Sequence, residues 1–442
     1  MRSTRRVWWR GVVLATAPLL VLTACMSDGD DSSAGTDGAE EAESVDPVTL
    51  RMSVWTSNED QLALLDDIAE AYAAQEPSVD GVEFESRAPD EYTTALTTQL
   101  AGGNAPDLGW VFEQDAKQFI ASGALVDVGP DLRADEEYGL DDFVESALDL
   151  WVDGDGVYAY PFSTSPFGIF YNADHFESAG ASTPDELIAD GDWTWERLAE
   201  VAAEVVDSGE ARGGFGFQRF DYQEWASLAI IWRAFGANAW SADGTQCQLA
   251  DPEMVDAMTF FHDMVFEAGA HPGPGTSADF FAGESAMIAA QIGRASLLAD
   301  VDYEWGLVPL PSGPAGDAAV IGQAGMGVFS ASDNHEAATG FLKFLTNAEN
   351  GARLAQFWPP PRTSLLSAEL LAETNPLLSE EQLEQVVVAG IQNGEVLPSH
   401  PNQAQLSDTV RAELDALWRA DADPTEVLAQ TCEAAAPLLA SS

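Results

Sequence analysis

Apolar and polar positions alternate through VTLRMSVW, residues 48–55, with the period of two that marks a strand. DQLALLDDIAEAYAAQEP then places Leu, Ile and Ala at helical spacing and stops before Pro77. GVEFESRA predicts a second strand, DEYTTALTTQLAGG a helix ended by glycines, and DLGWVF a third strand. Strand and helix in alternation predict an α/β sandwich. GVYAYPFSTSPFGIFYN reads as a long extended run. TWERLAEVAAEVVDSG reads as a helix opened by Thr194, and GGFGFQ at 213–218 as a turn and strand. EWASLAIIWRAFG, DPEMVDAMTFFHDMVFEAG and DFFAGESAMIAAQIG read as helices, WGLVPLPSGPAG as a Pro/Gly-rich crossing segment and GMGVFS as a strand. HEAATGFLKFLTNAENGARLAQF reads as one helix, and the C-terminal part as mostly helical through DTVRAELDALWRA and PTEVLAQTCEAAAPLLA.

A different pattern precedes all this. Residues 1–10 carry four arginines and no acid; residues 11–24 are apolar, broken by Pro18, and end in small residues. A basic head, a short apolar core and a small-residue exit predict a secretory signal over 1–24. The core is shorter than the roughly 20 residues that span a bilayer. LTAC at 22–25 resembles the bacterial lipobox, in which the Cys25 thiol would be alkylated by diacylglycerol and become the mature N-terminus. The arginine pair at 5–6 also loosely resembles a twin-arginine export motif. Residues 25–46 are acidic, rich in Ser, Gly and Ala, and short of apolar side chains, which predicts a disordered tether.

Charge narrows the function. The 442 residues hold 74 acids and 18 bases, a net charge of -56, with Lys117 and Lys343 the only lysines. Such a surface repels nucleic acid and anionic membrane, so membrane association is expected through the N-terminal lipid only. The length suggests two domains. Of three cysteines, Cys247 and Cys432 remain once Cys25 is assigned to the lipid. In an exported chain this pair reads as a disulfide, the alternative being two buried free thiols.

No G-x-S-x-G, H-E-x-x-H or phosphate loop occurs, and the five histidines are scattered. No catalytic residue, metal or cofactor is therefore assigned. Carboxylates are too common for any pair to signal a glycosidase. The 13 tryptophans say more: VWTSNED, GWVFEQD, RFDYQEW and FWPPPRTS set them beside acids and amides. An aromatic face packs on the C–H face of a sugar while neighbouring polar groups take its hydroxyls. Each tryptophan also has the plainer reading of core filler.

From about residue 47 onward the order of these segments resembles the extracellular solute-binding proteins of bacterial ABC importers, in the sugar-binding group that includes maltose-binding protein. The elements that carry the likeness include GGNAPDLGWVFEQDAKQFIASGALVDV, GVYAYPFSTSPFGIFYNADHFESAG, FFAGESAMIAA and PPPRTS. The resemblance implies an α/β, two-lobed periplasmic-binding-protein-like fold, with hinge crossings near 163–166, 307–313 and 357–361 and a ligand cleft between the lobes. Lobe 1 would comprise 47–164 and 312–357, and lobe 2 would comprise 165–311 and 358–442. The implied partners are a small-molecule sugar and the permease subunits of an ABC importer, the protein being a lipid-anchored, non-enzymatic monomer on the extracellular face of the membrane. The alternatives are a tethered carbohydrate-active enzyme, or the same fold holding a non-sugar solute.

Motif alignment carries candidate ligand contacts across. Trp55 and Glu59 lie in the first cleft loop, and Glu113, Gln114 and Asp115 in the turn after the third strand. Val111 stands where maltose-binding protein has a cleft tryptophan, and Ser165 where it has a ligand glutamate. Asp221, Tyr222, Glu224 and Trp225 match a sugar-gripping segment. A stacking tryptophan is missing near Gln291, Ile292 and Gly293. Trp358 and Arg362 flank the third crossing. These departures leave the particular sugar open.

Overall fold

A computed structural model describes residues 47–440 of the chain. The export signal, Cys25 and the acidic tether lie outside the described residues. Eleven strands are present among the described residues: β1 (Val48–Val54), β2 (Val79–Ser86), β3 (Leu108–Phe112), β4 (Val152–Asp153), β5 (Gly156–Val157), β6 (Tyr160–Asn172), β7 (Gly213–Phe217), β8 (Ser285–Gln291), β9 (Trp305–Val308), β10 (Val320–Val328) and β11 (Glu395–Val396). Nine of them form one sheet in the order β2-β1-β3-β10-β6-β8-β7, with β11 added to β10 and β9 to β6.

The alternation of β1 turns Leu50, Met52 and Val54 inward, where they are fully buried. Helix α1 (Glu59–Ala73) starts because the Asn58 side chain accepts the backbone N–H groups of Asp60 and Gln61, and it buries Leu64, Leu65, Ile68 and Tyr72. Helix α2 (Pro89–Gly102) ends at Gly103, whose φ of 70° suits a residue without Cβ. Helix α3 (Glu113–Ala121) follows β3 directly, so Glu113 and Asp115 stand in the first turn, where the helix dipole favours negative charge. Thr194 caps the helix Trp195–Ser208 by accepting from Arg197 N–H.

The buried apolar side chains form separate clusters. One draws on 50–162 and 324–354; the second draws on 167–320 and 406–439; a third, smaller one lies around 280–307 and 366–391. Two strands run between the first and second. On β6 the membership changes from Phe162 to Phe167, and on β10 from Val320 to Ala324. The strands are antiparallel neighbours there, with Pro166 opposite Ile321, Ser165 opposite Gly322 and Thr164 opposite Gln323. The second passage therefore falls on 321–323, beyond the 307–313 expected from the sequence, whose first residues belong to β9. The third passage follows Leu354, with Thr164 N–H donating to Pro359 O and Val144 N–H to Pro361 O.

Other sequence expectations change as well. DFFAGESAMIAAQIG is not a helix: Ser285–Gln291 is the strand β8, between antiparallel β6 and parallel β7. A strand buried on both faces shows an unbroken apolar run, which periodicity cannot separate from a buried helix. The long helix expected over 335–357 is two, His335–Leu345 and Ala348–Leu354, because the Asn347 side chain accepts from Asn350 N–H and restarts it. Likewise EWASLAIIWRAFG is a broken run, with Ala229–Trp232 helical between two 3-10 turns. Cys247 and Cys432 are joined, Cα to Cα 5.6 Å, tying a loop to the helix Pro424–Leu439. No helix among the described residues is long and apolar enough to cross a membrane.

Candidate functional site

A cleft of about 680 Å³ opens where the two main clusters meet, in the size range of small-molecule sites. Its first wall comes from the ends of β1 and β3. Trp55, just past β1, stacks on Phe112, the last residue of β3, with centroids 4.0 Å apart and planes 16° from parallel. Behind them Trp55 meets Tyr92 and Trp110 edge-on at 5.0 and 4.9 Å. The buried Tyr92 donates its hydroxyl to Trp110 O at 2.8 Å, so the partly exposed Trp55 rests on a fixed aromatic base. Helix α3 adds Glu113 and Gln114 to this wall.

The floor is made by Ser163 and Phe167 of β6, Gln291 of β8, and Gln323 and Ala324 of β10. Glu113 Oε2 accepts the backbone N–H of Gln323 at 3.1 Å, joining α3 to the crossing strand. Burial pushes the Glu113 carboxyl up to about 7, against the pull of that hydrogen bond and of Arg219. The second wall follows β7 and carries Gln218, Arg219, Asp221, Gln223, Glu224 and Trp225. Gln218 Nε2 donates to Gln291 Oε1 at 3.2 Å, and Gln291 N–H donates to Gln218 Oε1 at 2.9 Å. Gly322 makes room for this pair, since a Cβ there would lie 2.0 Å from Gln291 Nε2. Gln403, Ser407 and Arg411 close the rim from the helix Gln403–Leu414.

Of the residues singled out in the sequence, the fold gathers Trp55, Glu113, Gln114, Asp221, Glu224 and Trp225 around this cleft. The other six lie elsewhere. Glu59 is exposed at the first position of α1. Asp115 sits one layer back, accepting the Thr93 hydroxyl at 2.7 Å, and burial raises its pKa. Ser165 is buried opposite Gly322. Tyr222 turns to a smaller cavity of about 430 Å³, where its hydroxyl donates to Pro272 O at 2.6 Å. Trp358 packs edge-on against Trp110 and Phe162 at 5.5 and 5.6 Å. Arg362 is 1% exposed and serves as a bracket: it donates to Gly139 O and Thr346 O at 3.1 and 3.0 Å and lies over the Phe143 and Tyr138 rings. A buried guanidinium needs such partners, and they hold it away from the cleft.

Sequence reasoning passed over Phe112, Arg219 and most of the glutamines. Gln114, Gln218, Gln223, Gln291, Gln323 and Gln403 all border the cleft. Four of them stand at or just beyond strand or helix ends, and that positional signal could have found them. Val111 is buried in the core, as alternation along β3 requires, while its neighbour Phe112 takes the cleft-facing place.

Two buried cores joined by crossing strands, with a polar, aromatic-walled cleft at the crossing, define a two-lobed binding protein. The chain belongs to the family of bacterial extracellular solute-binding proteins, whose pattern matches residues 55–352. Proteins of this family bind small-molecule ligands and deliver them to ABC transporter permeases. Among relatives, a lipoprotein of Streptomyces antibioticus is 26% identical over 357 residues, covering 78% of this chain and 74% of that protein. The sn-glycerol-3-phosphate-binding periplasmic protein UgpB of Escherichia coli is 26% identical over 421 residues, covering 87% and 91%. Among solved structures, a Listeria monocytogenes substrate-binding protein in complex with cycloalternan matches with a TM-score of 0.75 at 22% identity, over 88% of this chain and 98% of that one. The cyclic alpha-maltosyl-1,6-maltose binding protein of Arthrobacter globiformis matches with a TM-score of 0.75 at 18% identity, over 90% and 100%.

Proposed function

We propose that this protein captures a carbohydrate in the cleft, closes over it by rotation about 163–166, 321–323 and 357–361, and delivers it to an ABC importer without transforming it. The observation that carries this reading is the Trp55–Phe112 stack facing walls lined with side-chain amides. A stacked indole offers a flat apolar platform for a sugar ring. An amide both donates and accepts, which matches hydroxyls that do the same. The cyclic maltosyl-maltose bound by the Arthrobacter protein supports the class of ligand.

A thermal-shift screen over mono- and oligosaccharides tests it. A ligand at one hundred times its Kd adds about 2.7 kcal/mol of stability. For the sugar so found, Trp55→Ala should weaken binding by roughly 2–4 kcal/mol, the range of an interface hot spot, while a partly exposed side chain costs the fold less. If no carbohydrate shifts the melting temperature but sn-glycerol 3-phosphate does, the non-sugar reading suggested by the Escherichia coli relative replaces this one. Release of hydrolysis products would overturn the binding-only reading.

We further propose that the chain is held at the extracellular face of the membrane by lipid on Cys25. LTAC at 22–25 and the Streptomyces lipoprotein support this. Cys25→Ala should move the protein from the detergent phase to the aqueous phase in detergent partitioning; equal partitioning of both forms would refute the anchor.

A further inference from the structure

Twelve arginines fall among the described residues. Ten hold a carboxylate or a backbone carbonyl, from Arg51 on Glu85 to Arg419 near Asp421. Arg219 and Arg294 are the exceptions: neither forms a hydrogen bond or ion pair among the described residues. With 74 acids in the chain against 18 bases, an arginine without a carboxylate partner is against expectation.

The topology brings these two together. β7 and β8 are parallel neighbours with Phe217 opposite Ala289. Gln218 extends the first, Gln291 ends the second, and the two glutamines hydrogen-bond to each other. Arg219 comes next after β7, and Arg294 comes three residues after Gln291, in the 3-10 segment Ile292–Leu298. Both thus leave the C-terminal ends of parallel strands, the edge at which α/β sheets place ligands. Arg219 lines the cleft and is presented by an unusual backbone. Its φ is 59°, and Asp221 and Tyr222 follow at 33° and 55°. Three left-handed residues with side chains cost of order 1 kcal/mol each or more, and such strain collects at ligand sites. Arg294 is half-buried; desolvation, and then the charge of Arg219, lower its proton affinity. Arg219 thus stands on the cleft lining, and Arg294, which is not part of that lining, carries a like charge near enough to be felt by it.

We propose that Arg219 and Arg294 form a subsite for an anionic substituent of the ligand, a carboxylate or a phosphate, so that the substrate class is an acidic sugar or sugar phosphate. This deepens the carbohydrate reading of the cleft and rests on it. Guanidinium forks match both anions, and a ligand that bridges them relieves their repulsion. The acids of the cleft do not cancel the pair. Asp221 and Glu224 are exposed to screening water, neither touches these arginines, and burial favours the neutral form of Glu113.

Titration calorimetry on the mature chain tests it with matched probes: galacturonate against galactose, glucose 6-phosphate against glucose, and inorganic phosphate alone. At least one acidic sugar should bind roughly 10- to 100-fold tighter than its neutral counterpart, as for charged hydrogen bonds, and lose that advantage in high salt. In Arg219→Gln/Arg294→Gln the acidic-to-neutral ratio should fall to about one; Arg219→Lys/Arg294→Lys, which keeps the charge, should retain part of it and guards against a folding defect. The carboxylate and phosphate arms say which anion is taken. Neutral sugars binding as tightly as acidic ones, or a ratio unmoved by the glutamine variant, overturns the subsite and leaves the carbohydrate reading standing. Inorganic phosphate binding as tightly as glucose 6-phosphate keeps the subsite and overturns the sugar. Binding of none of these probes overturns the subsite, and the carbohydrate reading then stands or falls with the thermal-shift screen over mono- and oligosaccharides.

Discussion

Opening the Cys247–Cys432 bond should cost about 5 kcal/mol of stability, the largest single loss expected in this molecule. The two cysteines are 185 residues apart, so the bond forbids the unfolded chain a very large loop. In the chain-entropy account the cost of closing a loop grows only slowly with its length, which is why the figure exceeds that for a short loop by no more than a few kcal/mol. The native contacts around the pair change little when it opens, because both side chains already pack against the apolar cluster that contains Trp225 and Phe261. The measurement is urea unfolding of the oxidised protein beside Cys247→Ala/Cys432→Ala. Unfolding free energies that agree to within about 1 kcal/mol would show that the denatured chain is not released by opening the loop.

Trp225→Ala should lower both stability and affinity, the first by roughly 3–5 kcal/mol as for a buried tryptophan. Trp225 is only 4% exposed. It packs nearly parallel to Trp232 at 6.0 Å and edge-on to Trp240 at 6.1 Å, yet one edge forms the second wall of the cleft. The readings of core filler and sugar platform are therefore not exclusive at this residue. Trp225→Phe separates them: it refills most of the core but shortens the face offered to the ligand. The phenylalanine variant should keep most of the melting temperature and lose affinity for the sugar found by screening. If it binds as wild type, and the alanine variant also binds normally at low temperature, Trp225 belongs to the core alone.

Much of the fold was legible because its signals are local. Period-two alternation found β1, GVEFESRA and DLGWVF were read correctly as the strands β2 and β3, and helical spacing with a following glycine or proline found α1 and α2. Thr194 marked a helix start correctly because its side chain does the capping itself. Failures came where burial on both faces erased the period, as in β8, and where one capping residue, Asn347, divided an apolar run. The cleft was half legible. Residues at the ends of predicted strands, such as Trp55 and Glu113, could be placed by order along the chain, and Trp225 by the segment it shares with the sugar-binding group. Arg362 and Trp358 could not, because proximity to a crossing does not say on which side of the backbone a chain packs. The Gln218–Gln291 clamp joins residues 73 apart and depends on the pairing of β7 with β8, which the misread segment concealed.

The paired passage of β6 and β10 bears on how such a molecule can flex. A single-stranded link would act as a ball joint, free to swing in any direction. Two neighbouring strands laddered from 163–166 to 321–324 act instead as a torsion bar: they resist shear and in-plane bending but yield to winding about their long axis. Any rotation of one lobe against the other is thereby confined mostly to one degree of freedom. The backbone bonds of the crossing survive it, and the restoring torque is spread over several residues. Gly322, at the middle of the bar, has no side chain to resist that winding, and the amide of Gln291 packs over it in the place a Cβ would take.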